Sequence, residues 1–217
     1  MTWLMALETS SRNYSVALGT GSSPEVFLER SRRDPAFDGI AGMARELAEA
    51  QGVSLRDLGS IAVNAGPGDR ISVRAGISYA NALAYSLGIN VRAVDGLELM
   101  ALEAAPGRDQ AVISLRKAGG ADVYGAISRP GEDLRYRYGA ISEVVPALVR
   151  GCDRVLVAGS YDAAEVGRFA EVEFADSSVV VSSARTLFRR IQGEAVGAAP
   201  VTSSVSPVTE EAGIFHG

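Results

Sequence analysis

Histidine and cysteine are nearly missing from this chain, and so is lysine. Among 217 residues there is one cysteine, Cys152, and one histidine, His216. A single thiol excludes an internal disulfide and argues against an oxidising compartment. One Cys and one His cannot supply the ligand clusters of zinc sites. A Ser-His-Asp or Cys-His nucleophile would need His216 to fold back from the end of the chain. No catalytic residue and no metal ligand is therefore assigned, although a carboxylate–magnesium site stays open. No apolar run reaches the length of a membrane span. The opening MTWLMALETSS has no basic leader and enters a strand pattern at once, so it is not read as a signal peptide. The expectation is a cytoplasmic protein with no membrane attachment.

Positive charge is also scarce. The formal net charge is −5, and Lys117 is the only lysine. An acidic chain lacks the electrostatic footprint of a dedicated nucleic-acid binder, so any RNA contact would be local or supplied by a partner. Otherwise the composition is ordinary for a globular protein, with 47% apolar and 22% charged residues. The length allows one large domain or two small ones.

What the chain does have is a strand–turn–helix unit, Ser60 to Gly88. Ile61, Ala62 and Val63 suit a strand buried on both faces. Gly66-Pro67-Gly68 ends it, because proline has no N–H for a ladder and glycine permits unusual backbone angles. From about Ile71 the apolar positions Ile71, Ile77, Ala80, Ala84 and Leu87 follow helical spacing, and Gly88 sits as a C′ stop. Gly76, Ala80 and Ala84, four residues apart, form a ridge almost without side chain. Such a ridge suits packing on the protein's own sheet, or a partner's helix.

Before this unit, Trp3–Leu7, Tyr14–Leu18 and Glu25–Arg30 read as a β-meander. Asp34 and Pro35 read as N-cap and first turn of a helix striped by Phe37, Ile40, Ala44 and Leu47. Ser54 and Asp57 resemble a capping box. After it come a strand at Val91–Val94 and a helix opened by Asp95-Gly96-Leu97-Glu98, in which Glu98 caps. Pro106–Asp109 reads as a boundary. Strands then follow at Ala111–Leu115, Asp122–Ser128, Leu134–Tyr138, Arg154–Ala158 and Glu171–Phe174, with helices from Ser142 and Val180. The ββαβ order echoes the first half without a sequence-level repeat. The expected layout is a first subdomain at 1–105, a second at 106–200 and an extended tail at 201–217.

Two α/β halves that each begin with a meander suggest the fold of actin, sugar kinases and their chaperone relatives. Met5-Ala6-Leu7-Glu8-Thr9-Ser10 resembles the first-strand motif of the TsaD/TsaB group. The segment GPGDRISVRAGISYANALAYSLGINVRAVDGLELMA is similar to the TsaB (YeaZ) signature, with Gly66-Pro67-Gly68, Arg74, Gly76, Ala80, Leu83-Ala84 and Leu87-Gly88-Ile89 in the family's places. Asp122-Val123-Tyr124 resembles its Glu-Val-Tyr strand. The resemblance implies an α/β fold of two actin-like (ASKHA, ribonuclease H-like) subdomains, each a mixed sheet with flanking helices. It also implies a non-catalytic partner of a TsaD-type transferase in synthesis of N6-threonylcarbamoyladenosine in tRNAs reading ANN codons. Such a chain has no activity alone, meets tRNA only through the complex, and pairs with TsaD by its first two helices while a TsaE-type ATPase docks on the pair. The implied interface residues are Phe37, Ile40, Arg74, Gly76, Ile77, Ala80, Asn81 and Ala84. Where the family has Ser-Phe-Thr-Gly this chain has Asp69-Arg70-Ile71-Ser72, and where it has a lysine this chain has Asn81.

Two other readings stand beside that one. Glu8, Thr9, Ser10 and Ser11 sit where actin-like folds hold phosphate, and Gly66, Pro67 and Gly68 could line the same cleft. No Gly-Lys-Ser/Thr follows, so this is not a P-loop. The chain would then be an independent magnesium-nucleotide ATPase or phosphotransferase, or would meet ATP or ADP with magnesium at a subunit interface without an intrinsic cofactor. A homodimeric scaffold using the same helix face is the other alternative. Arg116 and Lys117, read as a loop, are the best local spot for RNA phosphate.

Overall fold

The computed structural model describes residues 2–21, 25–168, 172–192 and 204–215. His216 and the stretch 193–203 lie outside the described residues. The chain divides into two compact units, Met1–Gly96 with Ser183–Pro207, and Leu97–Ser182 with Val208–Gly217.

The first unit is built on five strands. β1 (Trp3–Glu8), β2 (Asn13–Thr20) and β3 (Val26–Ser31) form the expected meander. Helix α1 (Gly39–Ala50) leads to β4 (Leu58–Asn64), and α2 (Arg70–Leu87) leads to β5 (Asn90–Val94). The sheet order is β3-β2-β1-β4-β5, antiparallel across the meander and parallel from β1 to β5. β1 and β4 lie at its centre with Ala6 opposite Ala62. Both read as continuous apolar runs because both faces of the sheet are covered. β2 shows the two covers. Tyr14 meets the ring of Phe37 edge-on at 5.2 Å, on the side of α1. One residue along, Ser15 accepts the Ala184 N–H at 2.9 Å, and Gly19 leaves room for Phe188, which a Cβ would approach to 2.7 Å.

The second unit starts with α3 (Gly96–Ala104), which straddles the division. Then come β6 (Val112–Gly119), β7 (Asp122–Ser128), β8 (Arg135–Ala140), α4 (Ile141–Val149), β9 (Arg154–Ser160), the short α5 (Ala163–Val166) and β10 (Glu173–Asp176). Its order, β10-β9-β6-β7-β8, repeats the first sheet strand for strand, with the same senses. Alternation splits the core. Ile113, Leu115, Val123 and Ile127 face Val144, Val145 and Leu148 of α4. Val112, Tyr124 and Ala126 face Leu97, Met100 and Ala101 of α3, with Phe215. This is the expected α/β fold of two actin-like subdomains, each with a meander, a parallel half and flanking helices.

The boundaries differ from the expected ones. The first unit ends at Gly96 and not at 105, because the apolar side of α3 is spent on the second sheet. Helix α6 (Ala184–Gln192) returns to the first unit, where Leu187 and Phe188 are fully buried and the helix packs on β1, β2 and β4. The described part of the tail is packed too, since Phe215 is buried beside Tyr124, Tyr136 and Tyr138. α1 starts at Gly39, four residues after the expected Pro35. The Asp34 carboxylate accepts the Ala36 N–H at 2.8 Å and makes a turn there, so Asp38 takes the N-cap position.

Candidate functional site

The two loops expected to cradle a phosphate do come together, at the ends of β1 and β4, and each closes the other. Glu8 is 1% exposed. Its carboxylate accepts the Ser10 N–H at 2.6 Å and the Asn64 side-chain amide. The Asn64 carbonyl oxygen accepts the Gly66 N–H at 2.7 Å, and the Gly66 carbonyl accepts the Gly96 N–H at 2.7 Å. Gly66 has φ +90°, a left-handed angle that glycine takes without a Cβ clash, and the Gly66–Pro67 peptide is cis. A Cβ on Gly68 would lie 2.6 Å from the Ser10 carbonyl, and that carbonyl accepts the Asp69 N–H at 2.9 Å. Thr9 is buried and donates to the Ser72 carbonyl at 2.8 Å, and Ser11 serves its own turn by bonding Asn13. Glu8 thus links the ends of β1 and β4, and Thr9 ties the end of β1 to the start of α2.

Asp69 caps the helix that follows the glycines. Its side chain accepts the Ser72 N–H at 2.9 Å and caps α2. Arg32 reaches the same turn, donating to the Ser72 hydroxyl at 2.9 Å while its guanidinium stands 6.0 Å from the centre of the Tyr14 ring.

The ridge on α2 faces the other way from the docking expectation. Gly76, Ala80 and Ala84 are buried, and α2 packs on β4, β5 and β1. Gly76 lies against Thr9, whose hydroxyl a Cβ would overlap. Ile77 and Ile40 are buried as well, and Phe37 is half-buried against Tyr14. Close approach is needed here by the protein's own sheet, so the buried Ile40, Gly76, Ile77, Ala80 and Ala84 offer no surface to a partner. Of the expected interface residues only Arg74 is exposed, and Asn81 is half-buried.

The opposite side of α2 is what the sequence reading missed. Ile71 is 79% exposed and Tyr85 88% exposed. Between them Ala75, Ser78 and Ala82 are also exposed. The spacing from 71 through 75, 78 and 82 to 85 alternates four and three, the period of a helix–helix seam. That spacing is present in the sequence, where Ile71 also falls in helical spacing with Ile77, Ala80, Ala84 and Leu87. Beside this stripe, burial pushes the Tyr79 phenol up, an effect partly offset by the positive charge of Arg45 on α1.

The remaining sites are structural in their contacts. Arg116 and Lys117 belong to strand β6 and not to a loop. Arg116 is buried and donates to the Val180 carbonyl at 3.4 Å, while Lys117 is exposed. Glu98, in the first turn of α3, pairs with Arg108 at 3.1 Å. Among the described residues no group of three His, Cys, Asp or Glu side chains is placed to hold a metal ion. No helix among them is long and apolar enough to cross a membrane.

The family described as TsaD, tRNA N6-adenosine threonylcarbamoyltransferase, matches residues 35–171, from the turn before α1 to the end of α5 and beyond. The chain belongs to the TsaD family. Within the TsaD family, a tRNA N6-adenosine threonylcarbamoyltransferase of Geotalea uraniireducens (strain Rf4) is 42% identical over 59 residues, a match that covers 27% of this chain and 17% of that protein. The chain therefore spans only a small part of that relative's length. In fold it is similar to YeaZ from Pseudomonas aeruginosa, with a TM-score of 0.71 and 23% identity over 96% of this chain and 100% of that one. A second crystal structure, of a protein described as similar to the peptidase YEAZ from Pseudomonas aeruginosa, has a TM-score of 0.72 and 24% identity over 96% and 99%. This TsaD-family chain thus has the two-unit YeaZ fold along nearly its whole length.

Proposed function

We propose that this chain is a TsaB-like, non-catalytic partner of a TsaD-type transferase in the synthesis of N6-threonylcarbamoyladenosine in tRNA. The observation that carries the reading is the exposed seam of α2. Ile71 and Tyr85 are large apolar side chains left almost wholly in water, with a floor of Ala75, Ser78 and Ala82 between them. Short side chains let a second helix axis come close, and large apolar ends anchor it. Family membership and the YeaZ fold support tRNA threonylcarbamoyladenosine synthesis as the setting.

The phosphate-cradle residues favour a partner over a self-contained ATPase. Glu8, the residue that would meet magnesium, is buried and bonded to Ser10 and Asn64. In this reading the protein works in the cytoplasm, meets tRNA only within the complex, and a TsaE-type ATPase docks on the pair. The test is size-exclusion chromatography of this chain with the TsaD homologue of its host. A stable heterodimer lost in Ile71→Asp supports the reading. Two folded proteins that elute apart overturn it, and a homodimer lost in the same variant would replace it with the self-association alternative.

A further inference from the structure

Asn81 is latched to the C-terminal segment. Its side-chain amide donates to the Val205 carbonyl at 2.9 Å, and its carbonyl oxygen accepts the Val205 N–H at 3.0 Å. That is the pair of bonds a neighbouring strand would make, offered here by one side chain. The segment is arranged accordingly, with Ser204 and Ser206 exposed and Val205 and Pro207 half-buried. Asn81 and 204–207 belong to the same unit.

The position of the latch on α2 matters. Asn81 is one turn from Ser78 and Tyr85 and two turns from Arg74, so the segment borders one flank of the exposed seam. The other flank is bordered by α1, which packs on α2 and whose Arg45 acts on Tyr79. The seam between them is floored by Ala75, Ser78 and Ala82. It is therefore a groove with a helix for one wall and an extended segment for the other. Arg70 and Arg74 are both exposed at its N-terminal end, and neither makes an ion pair among the described residues. Their charge suits a helix with acidic residues at the end that lies there.

We infer that segment 204–207, held by Asn81, is the second wall of the docking groove and helps to hold a partially acidic helix of the TsaD-type subunit. This rests on the docking reading above. Asn81 then contributes by placing backbone beside the groove and not by charge.

The test compares three full-length variants, Asn81→Ala, Val205→Pro and Ile71→Asp. Amide hydrogen exchange of residues 204–206 reports the latch, and titration calorimetry with the TsaD homologue reports docking. Asn81→Ala, which loses both bonds, should speed exchange in the segment and weaken partner binding about tenfold, and Val205→Pro, which loses only the N–H donor, should do both to a smaller degree. Unchanged exchange in Asn81→Ala would overturn the latch. Faster exchange with unchanged or tighter binding, while Ile71→Asp abolishes binding, would overturn the wall alone and leave the docking reading intact. Full binding by Ile71→Asp would overturn the docking reading itself.

Discussion

Thr9 stands where a side chain on Gly76 would have to go. The end of β1 and the second turn of α2 meet at that point, with Thr9 donating its hydroxyl proton to the Ser72 carbonyl at 2.8 Å. The bare ridge of α2 is thereby tied to the stability of one unit, and it lies on the opposite side of the helix from the exposed Ile71 and Tyr85.

Gly76→Ala should accordingly destabilise the protein by about 1–3 kcal/mol, the usual cost of overpacking a tight core. Urea unfolding followed by circular dichroism measures it. Combined with Thr9→Ala, the loss should be smaller than the sum of the two single losses, because both act at one contact. Strict additivity would show that the two residues do not share it.

Ile71→Asp and Tyr85→Ala should do the opposite. Both side chains are in water. Stability should therefore stay within roughly 0.5 kcal/mol of the parent, while capture of the TsaD homologue falls. A large drop in melting temperature would show that these residues pack on something in the isolated chain.

Asp69→Ala should cost about 1 kcal/mol through loss of the cap on α2, and Asp69→Ser should recover most of it, since serine caps comparably well. Thermal melts of the three proteins decide this. Equal melting temperatures would mean that the Asp69–Ser72 bond adds nothing in solution.

Tyr79 predicts behaviour in alkali. Burial raises its folded pKa, with Arg45 as the smaller opposing influence. In the unfolded chain the phenol ionises near its ordinary value of about 10. The stability tied to the neutral ring is therefore complete below that pH and is lost as pH rises above it. Tyr79→Phe should match the parent at pH 8 and outlast it above about pH 10, read as melting temperature against pH. Tyr161, raised by burial and by Asp176, titrates in the same direction. The double variant should flatten the alkaline limb further.

Much of the architecture could be read from local pattern. The Ser54–Asp57 capping box is present as expected, with the Asp57 carboxylate accepting the Ser54 N–H at 2.9 Å. Gly88 ends α2 at φ +65°. These features depend on residues within a few positions of each other. The misread parts depend on distant ones. Asp34-Pro35 fits a helix start and a turn equally well, because an aspartate side chain offers the same bond to either. Helical spacing showed that α2 has a bare ridge, but which face a sheet covers is decided by β1 and β4. Nothing near residue 183 announces that α6 leaves one sheet to cover another. Asn81 reads as a lost charge until Val205, over a hundred positions away, is placed beside it.

The return of α6 bears on how such a gene can change. Cutting the coding sequence between the two sheets would leave the first without the helix that buries Leu187 and Phe188, and the second with a helix that has no β-layer to cover. A break at that junction would leave each product with an apolar layer in water. The first sheet therefore depends on chain that is made only after the second is complete.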